Sequence, residues 1–260
     1  MRFQQVTARF SFALLLVSSA IALAAGLGTR FHAWNYHVGL WVIFPWCVYT
    51  GLASVVAGLA WIASAVLSGR GAGARYALIG IAGSLALLWV PLHDLYLVKI
   101  ERSIPPIHDV STDTEHAPEF VALRDHRPGA TNPPDYDGPK PVKFDGRTYA
   151  TATLQKLYYA DIKPYPQLGT TAAKLFHRAV AAASAMGWKI VAVVPDPTGG
   201  RIEATDTTWL FGLTDDIVIR VKPAGIGARV DVRSKSRVGA NDFGRNAARI
   251  HAYLKKLAGA

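Results

Sequence analysis

The chain has a single cysteine in 260 residues, Cys47. No disulfide and no cysteine-based metal cluster can therefore form within one copy. Also missing are a Gly-x-Ser-x-Gly elbow, a phosphate-binding loop, a His-Glu-x-x-His pair and a dinucleotide-binding glycine fingerprint. Their absence removes the usual sequence signs of α/β-hydrolase, nucleotide, zinc-peptidase and Rossmann chemistry. Ser184 and Ser236 have no evident base beside them. The third shortage is regional: residues 1–98 hold five Arg, one Asp and no other formal charge. With 51% hydrophobic residues overall, this unevenness points to a membrane segment followed by a polar one, not to one large soluble core.

Three apolar stretches fill that charge-poor region, at 10–27, 38–67 and 76–98. Crossing the hydrocarbon core takes about 20 mostly apolar residues in a helix, so each stretch reads as a transmembrane helix. The first also resembles a signal peptide, with Arg2 and Arg9 ahead of it and Ala22, Ala24 and Ala25 near its end. The short loop and second span that follow favour a retained helix. Arg2, Arg9, Arg70 and Arg75 fall on one side of the three spans, and Arg30, Lys99 and Arg102 on the other. The positive-inside rule then puts the N-terminus in the cytoplasm and the polar part outside. Phe31, Trp34, Tyr36 and Trp41 suit an aromatic belt at the outer interface. Gly51, Ser54, Ala57 and Gly58 suit close helix packing, Pro45 and Pro91 mark helix starts or bends, and the adjacent His93 and Asp94 read as interfacial.

Residues 99–168 contain ten of the fifteen prolines and read as extended chain wrapping a folded part, with one short helix at 149–160. From residue 169 to 260 the periodicity becomes regular. Thr170 or Thr171 caps a helix with Leu175, Phe176, Ala179, Val180, Ala183 and Met186 on one face, and Gly187 ends it. Four strands follow, at 188–194, 201–209, 216–222 and 228–238, with Pro- and Gly-rich turns between them. In the last, Val230, Val232 and Val238 are expected inward, and Arg229, Asp231, Arg233, Lys235 and Arg237 outward. A final helix from Asn241 or Asp242 carries the stripe Phe243, Ala247, Ile250, Leu254 and Leu257. The expected fold is α+β: three N-terminal spans, then a four-stranded antiparallel sheet packed with two helices, helix-grip-like by topological analogy.

Three segments carry a further signal: residues 104–114 around Ile107-His108-Asp109, residues 200–208 around Glu203 and Asp206, and residues 231–239 leading into 241–250. In this order they resemble the bacterial family called domain of unknown function 1499, over about residues 103–257. The resemblance implies membrane-anchored relatives and no established activity, so no residue inherits a catalytic role.

Candidate sites follow from residue chemistry alone. Arg233, Ser236, Arg237, Asn246 and Arg249, near the start of the last helix, form a candidate anion-binding set, because guanidinium forks and helix N-terminal N–H groups suit anions. Asp242 as a helix cap, and arginines paired with Asp215, Asp216 or Asp231, is the competing structural role; one register puts Arg220 opposite Asp231, another puts Asp216 opposite Arg233. His108, Asp109, Asp113, Glu115 and His116 offer metal donors, but no regular spacing makes them converge, and turn roles suit them better. No metal or cofactor is expected. Asp206 shares strand parity with Ile202 and Ala204 and is an inward acid or base candidate, with His108 or Asp109 as partner. The favoured reading is a non-enzymatic, membrane-anchored periplasmic domain of a bacterial inner membrane protein. It would bind membrane lipid, through an anionic headgroup, or an envelope protein. A hydrolase or isomerase built on Asp206 is the alternative. Residues 169–260 carry a net +7, which suits nucleic acid as well, but an extracytoplasmic location removes that partner.

Overall fold

In the computed structural model, which describes residues 2–99 and 104–259, the apolar stretches form three helices. These are α1 (Arg2–Arg30), α2 (Phe44–Ser68) and α3 (Ala74–Lys99). A π-helical stretch, Val38–Ile43, leads into α2. All three helices are long and apolar enough to cross a membrane. Two compact units can be separated: Met1–Tyr96 with Thr208–Leu213, and Leu97–Thr207 with Thr214–Ala260. Arg102, used in the charge-bias argument, lies outside the described residues.

The helices pack through small residues, as lipid-embedded interfaces require. Ala8, Ser11, Ser18, Ala22 and Ala25 of α1 are buried at spacings of three, four and seven. Ser11 and Ser54 each donate their hydroxyl to the other's carbonyl, at 2.8 and 2.7 Å. Gly51, Ser54 and Gly58 of α2 are buried, and Ala57 is half-buried. Pro45 lies where the π-helical stretch passes into α2, and Pro91 lies within α3. Helix α1 begins at Arg2, not near Phe10. Its polar start is held because the Gln4 amide donates to Ser64 O, Ser68 Oγ and Arg70 O.

The second unit is α+β. Strands β5 (Lys189–Asp196), β6 (Gly199–Thr207), β7 (Thr214–Ala224) and β8 (Gly227–Ser236) form an antiparallel meander, with helix α5 (Ala172–Ala185) before it and α6 (Arg245–Ala258) after it. Thr171 caps α5 by accepting Lys174 N–H at 3.2 Å. The sheet has six strands where the periodicity predicts four. The two extra ones, β1 (Asp109–Ser111) and β4 (Tyr165–Leu168), pair in tandem along the same edge of β8. They come from the proline-rich segment and are three and four residues long, too short for an alternation signal. That segment also forms a separate hairpin, β2 (Pro141–Phe144) with β3 (Arg147–Ala150), and a helix α4 (Thr151–Tyr158).

One sheet face is apolar. Ile202, Ala204, Ile217, Ile219, Val230 and Val232 pack against Leu175, Phe176 and Ala179 of α5 and Ala247, Ile250 and Leu257 of α6. Trp188 stacks on Tyr253 at 5.5 Å between ring centroids. Each fully buried Leu, Ile or Phe contributes about 1.5–3 kcal/mol relative to exposure, so this layer dominates the unit's stability. The space between helices and sheet is filled by these side chains.

The opposite face departs from expectation. Arg233 and Lys235, predicted to point outward into water, are 1% and 0% exposed. They do leave the apolar face, as strand parity demands, but chain between residues 112 and 137 covers them. Val238 falls beyond the end of β8. The register is the one that sets Arg220 opposite Asp231, which places Arg233 opposite Val218 and leaves Asp216 opposite Lys235.

Candidate functional site

Charges alternate in sign where β8 meets its neighbours on the covered face. Arg233 is the centre. Its Nε and one Nη donate to the two oxygens of Asp109, both at 2.8 Å, a bidentate pair. The same Nη also donates to the carbonyls of Pro134 and Asp135, at 2.9 and 3.0 Å. The rings of Phe120 and Tyr136 lie 4.7 and 5.3 Å from the guanidinium carbon, within cation–π range. Beside it, Lys235 Nζ is 2.7 Å from Asp137 and 3.3 Å from Asp109. Burial pulls the Lys235 pKa down, while the two carboxylates oppose that shift without cancelling it.

The same pattern extends along the sheet. Asp216 accepts from Arg127 at 2.6 Å and from Arg237 at 2.7 and 2.9 Å. Asp231 and Asp113 share Arg220 and Arg229. Asp113 also accepts the N–H groups of Glu115 and His116, the turn role expected of it. Burial pushes its pKa up, but those hydrogen bonds and the two arginines outweigh it and hold the carboxyl below the usual range. Glu203, fully buried, accepts three consecutive backbone N–H groups, of Val121, Ala122 and Leu123, at 2.8 to 3.1 Å. Arg201 adds a bond at 2.8 Å. Thus each buried charge named here has an opposite charge in contact, the condition under which burial of ions is tolerated.

The five residues of the predicted anion set fall on two faces. Arg233 and Arg237 belong to the covered layer and carry Asp109 and Asp216. Ser236, Asn246 and Arg249 lie toward α6. Arg249 donates to Asp206 at 2.9 Å, Asp215 at 2.7 Å, Ser234 Oγ at 3.1 Å and Asn246 at 2.8 Å. Asn246 Nδ2 reaches Ser236 Oγ at 3.0 Å and the His108 carbonyl at 3.1 Å. Asp242 accepts Gly244 and Asn246 N–H at 2.8 Å each, so it serves the start of α6. Burial pushes its pKa up to about 6, against the pull of those N–H groups.

Asp206 does share the apolar-side parity of Ile202 and Ala204, but its side chain is 41% exposed and engaged by Arg249. Asp109 is on the other face, fully buried by Arg233 and Lys235. The sheet therefore separates these two carboxylates. His108 turns to a third place: Nε2 lies 3.0 Å from Asp137 Oδ2, and Nδ1 lies 3.3 Å from the Ala240 carbonyl. Among the described residues no three of His, Cys, Asp and Glu converge as metal donors.

His108 and Asp137 open onto a cleft of about 330 Å³, whose wall also includes Lys140, Val142, Lys143 and Thr151. Asp137 is 3% exposed and receives Lys140 at 2.5 Å as well as Lys235 and His108. Burial alone would raise its pKa; the three cationic or N–H partners prevail and hold it far below the ordinary carboxylate range. The Lys140 and Lys143 side chains are exposed at the rim. Sequence reasoning missed Asp137 and Lys140, and took Glu203 only as part of the 200–208 segment. The only local sign was the run Asp137 to Lys143, charged residues interleaved with two prolines.

The family model described as "Protein of unknown function (DUF1499)" matches residues 109–257. The chain belongs to this family. The matched span contains the whole ion-pair layer, from Asp109 through Glu203 and Arg233 to Arg249, and none of α1–α3. No curated protein matches the chain. Membership in the DUF1499 family thus establishes kinship and supplies no chemistry.

Proposed function

We propose that this DUF1499 protein is a binding module of a bacterial plasma membrane, held by α1–α3, with the N-terminus in the cytoplasm and the α+β unit on the periplasmic side. Its ligand is an anionic group of the envelope, a lipid headgroup in the first instance. The observation that carries this reading is the cleft beside His108. There Lys143 is exposed, and the carboxylate of Asp137 is already shared by Lys235, His108 and the exposed Lys140. A second anion entering the cleft meets cations at its rim and a neutralised floor. Arg233, Ser236, Arg237, Asn246 and Arg249 act in this reading through the frame they build. For the first and last of these, an incoming anion would have to displace Asp109 or Asp215.

Native mass spectrometry of the full chain released from micelles containing phosphatidylglycerol tests the proposal. A Lys140→Gln, Lys143→Gln double variant is expected to lose most of the bound anionic lipid and none of the phosphatidylcholine. Equal retention of phosphatidylglycerol by both proteins would sink it.

An envelope protein is the second reading, and a separate feature favours it. Among the described residues nothing pairs the outer side of β5, and its Val191, Val193 and Val194 are exposed. A free edge with apolar side chains is suited to adding an extended strand. A proline at Val193 is expected to abolish capture of such a partner while leaving lipid binding intact.

A further inference from the structure

The β6–β7 connection, Thr208–Leu213, is the most apolar turn of the polar part, reading Thr-Trp-Leu-Phe-Gly-Leu. It is a closed structure in its own right. Thr208 N–H donates to Leu213 O at 2.8 Å, Gly212 N–H to Thr208 O at 3.1 Å, and Leu213 N–H to Thr208 Oγ1 at 2.9 Å. By its contacts it belongs to the helical unit. Arg30, the last residue of α1, donates one Nη to the carbonyls of Thr208 at 3.1 Å and Trp209 at 2.8 Å. Leu210 lies directly on Gly26, where a Cβ would come within 2.3 Å of Leu210 Cγ. Phe211 meets Phe44 edge-on, with centroids 5.8 Å apart.

Leu210 and Phe211 are thus used on the helices, and Trp209 is not. Trp209 is 74% exposed, and its indole N–H makes no hydrogen bond among the described residues. Its level is set by Arg30, the cation that ends a spanning helix. Phe31 and Trp41, exposed at 73% and 62%, occupy the adjoining segment. Tryptophan concentrates at that level of a bilayer, because its ring is apolar and its N–H still reaches water and headgroups.

We propose that the Thr208–Leu213 turn is a bilayer-interface element, with the Trp209 ring seated among the lipid headgroups beside Arg30. Leu210 and Phe211 clamp the turn to the end of α1 and the start of α2, and Trp209 contacts lipid. The partner is the lipid surface itself, independent of any ligand in the His108 cleft. The turn is then a second place, far along the chain from α3, where this protein meets the membrane.

The solitary cysteine makes the test direct. The full chain carrying Cys47→Ala and Trp209→Cys is labelled with bimane and reconstituted into phosphatidylcholine vesicles. A nitroxide is placed either on the lipid headgroup or at the twelfth acyl carbon. The expected result is that the headgroup nitroxide removes most of the emission, that the deep nitroxide removes much less, and that a label at Phe31→Cys behaves alike. Emission untouched by either lipid probe but quenched by aqueous iodide would overturn the proposal. So would stronger quenching by the deep probe, which would place the turn in the hydrocarbon. Position 209 is exposed, so the label does not disturb packing. Unaltered Arg30-dependent docking is checked by adding Arg30→Gln, which is expected to weaken headgroup quenching at position 209 and leave it unchanged at position 31; quenching unchanged at both would overturn the part given to Arg30.

Discussion

Replacing Asp109 by alanine removes the carboxylate that neutralises Arg233 and part of Lys235, both essentially without solvent access. Two N–H groups of Arg233 then lose their acceptors, and two like charges remain close together in a dry layer. Breaking a buried ion pair by deleting one partner costs about 3–5 kcal/mol. Asp137 and the Pro134 and Asp135 carbonyls still face the cations, which favours the lower end of that range. Unfolding of the whole chain is unsuitable as a measure, since it contains two units. Amide hydrogen exchange in nanodiscs reads the α+β unit by itself. Protection of Ile219 and Val232, central in the sheet, is expected to fall by roughly a hundredfold or more, the equivalent of about 3 kcal/mol. The double variant Asp109→Leu, Arg233→Met is expected to recover a large part of the loss, because apolar replacement of both partners avoids the stranded charge. The reasoning is refuted if Asp109→Ala lowers protection less than about fivefold, the size of an exposed pair. It is equally refuted if the double variant is worse than the single one by the full cost of Arg233.

Asp242 sets one part of the pH response: its folded pKa of about 6 exceeds the unfolded value of 3.8, so the folded state binds the extra proton, and its contribution to stability falls as pH rises between them. Exchange protection near α6 is expected to be about 1 kcal/mol higher at pH 5 than at pH 7, a difference that Asp242→Asn abolishes. Asp137 has the opposite sign: its depressed folded pKa gives stability that is present above about pH 4 and is lost on acidification below it; Asp137→Asn should flatten that acid limb in the same exchange series. Gly200→Ala puts a Cβ 2.6 Å from the Val194 carbonyl oxygen, at a backbone φ of 145°, and is expected to cost about 1–3 kcal/mol in thermal or exchange measurements. In the helices, Gly80→Leu drives side chain into Ser11, whose Oγ would lie 2.3 Å from the new Cβ; crosslinking between cysteines placed on α1 and α3 should fall several-fold, while the same change at exposed Ile79 should leave it intact.

Apolar periodicity made the three spans, both long helices and the four-strand meander legible, because burial on one side imposes a period on the residues themselves. The cap at Thr171 and the Ala247, Ile250, Leu254 and Leu257 part of the last stripe follow from local chemistry of the same kind. Helix α6 starts at Arg245, after Asn241 and Asp242, so Phe243 falls outside it and is exposed. Of the two alignments open in the sequence, the sheet takes Arg220 opposite Asp231. The strands β1 and β4 were not legible. Their order comes from an edge supplied by β8, far away in sequence, and three or four residues carry no period of their own. The charged residues of β8 misled for a related reason. Alternation says which residues share a face, and says nothing about what covers that face. Arg233 looks like a surface cation until chain from the proline-rich segment closes over it. Glu203 likewise carries no local sign that three backbone N–H groups of residues 121–123 await it. Thr208 and Trp209, assigned by alternation to the strand at 201–209, belong instead to the turn after Thr207, and nothing local indicates their place against Arg30.

Net charge loses its first meaning once the layer is in view. Residues 169–260 carry +7 and residues 99–168 carry −1, which suggests a basic domain behind a neutral stalk. The two segments instead neutralise each other inside one fold: Asp109 and Asp137 of the first hold Arg233 and Lys235 of the second, and Arg127 of the first shares Asp216 with Arg237. Cations paired in this way contribute little to a long-range field, and what field remains belongs to exposed groups such as Lys143. Salt screens exposed charges over about 10 Å at 0.1 M and buried pairs far less. Raising salt is therefore expected to weaken capture of anionic headgroups at the His108 cleft without lowering exchange protection of β8. A parallel loss of both on the same salt titration would mean that the layer is solvated, and that Arg233 and Arg237 are themselves the anion site.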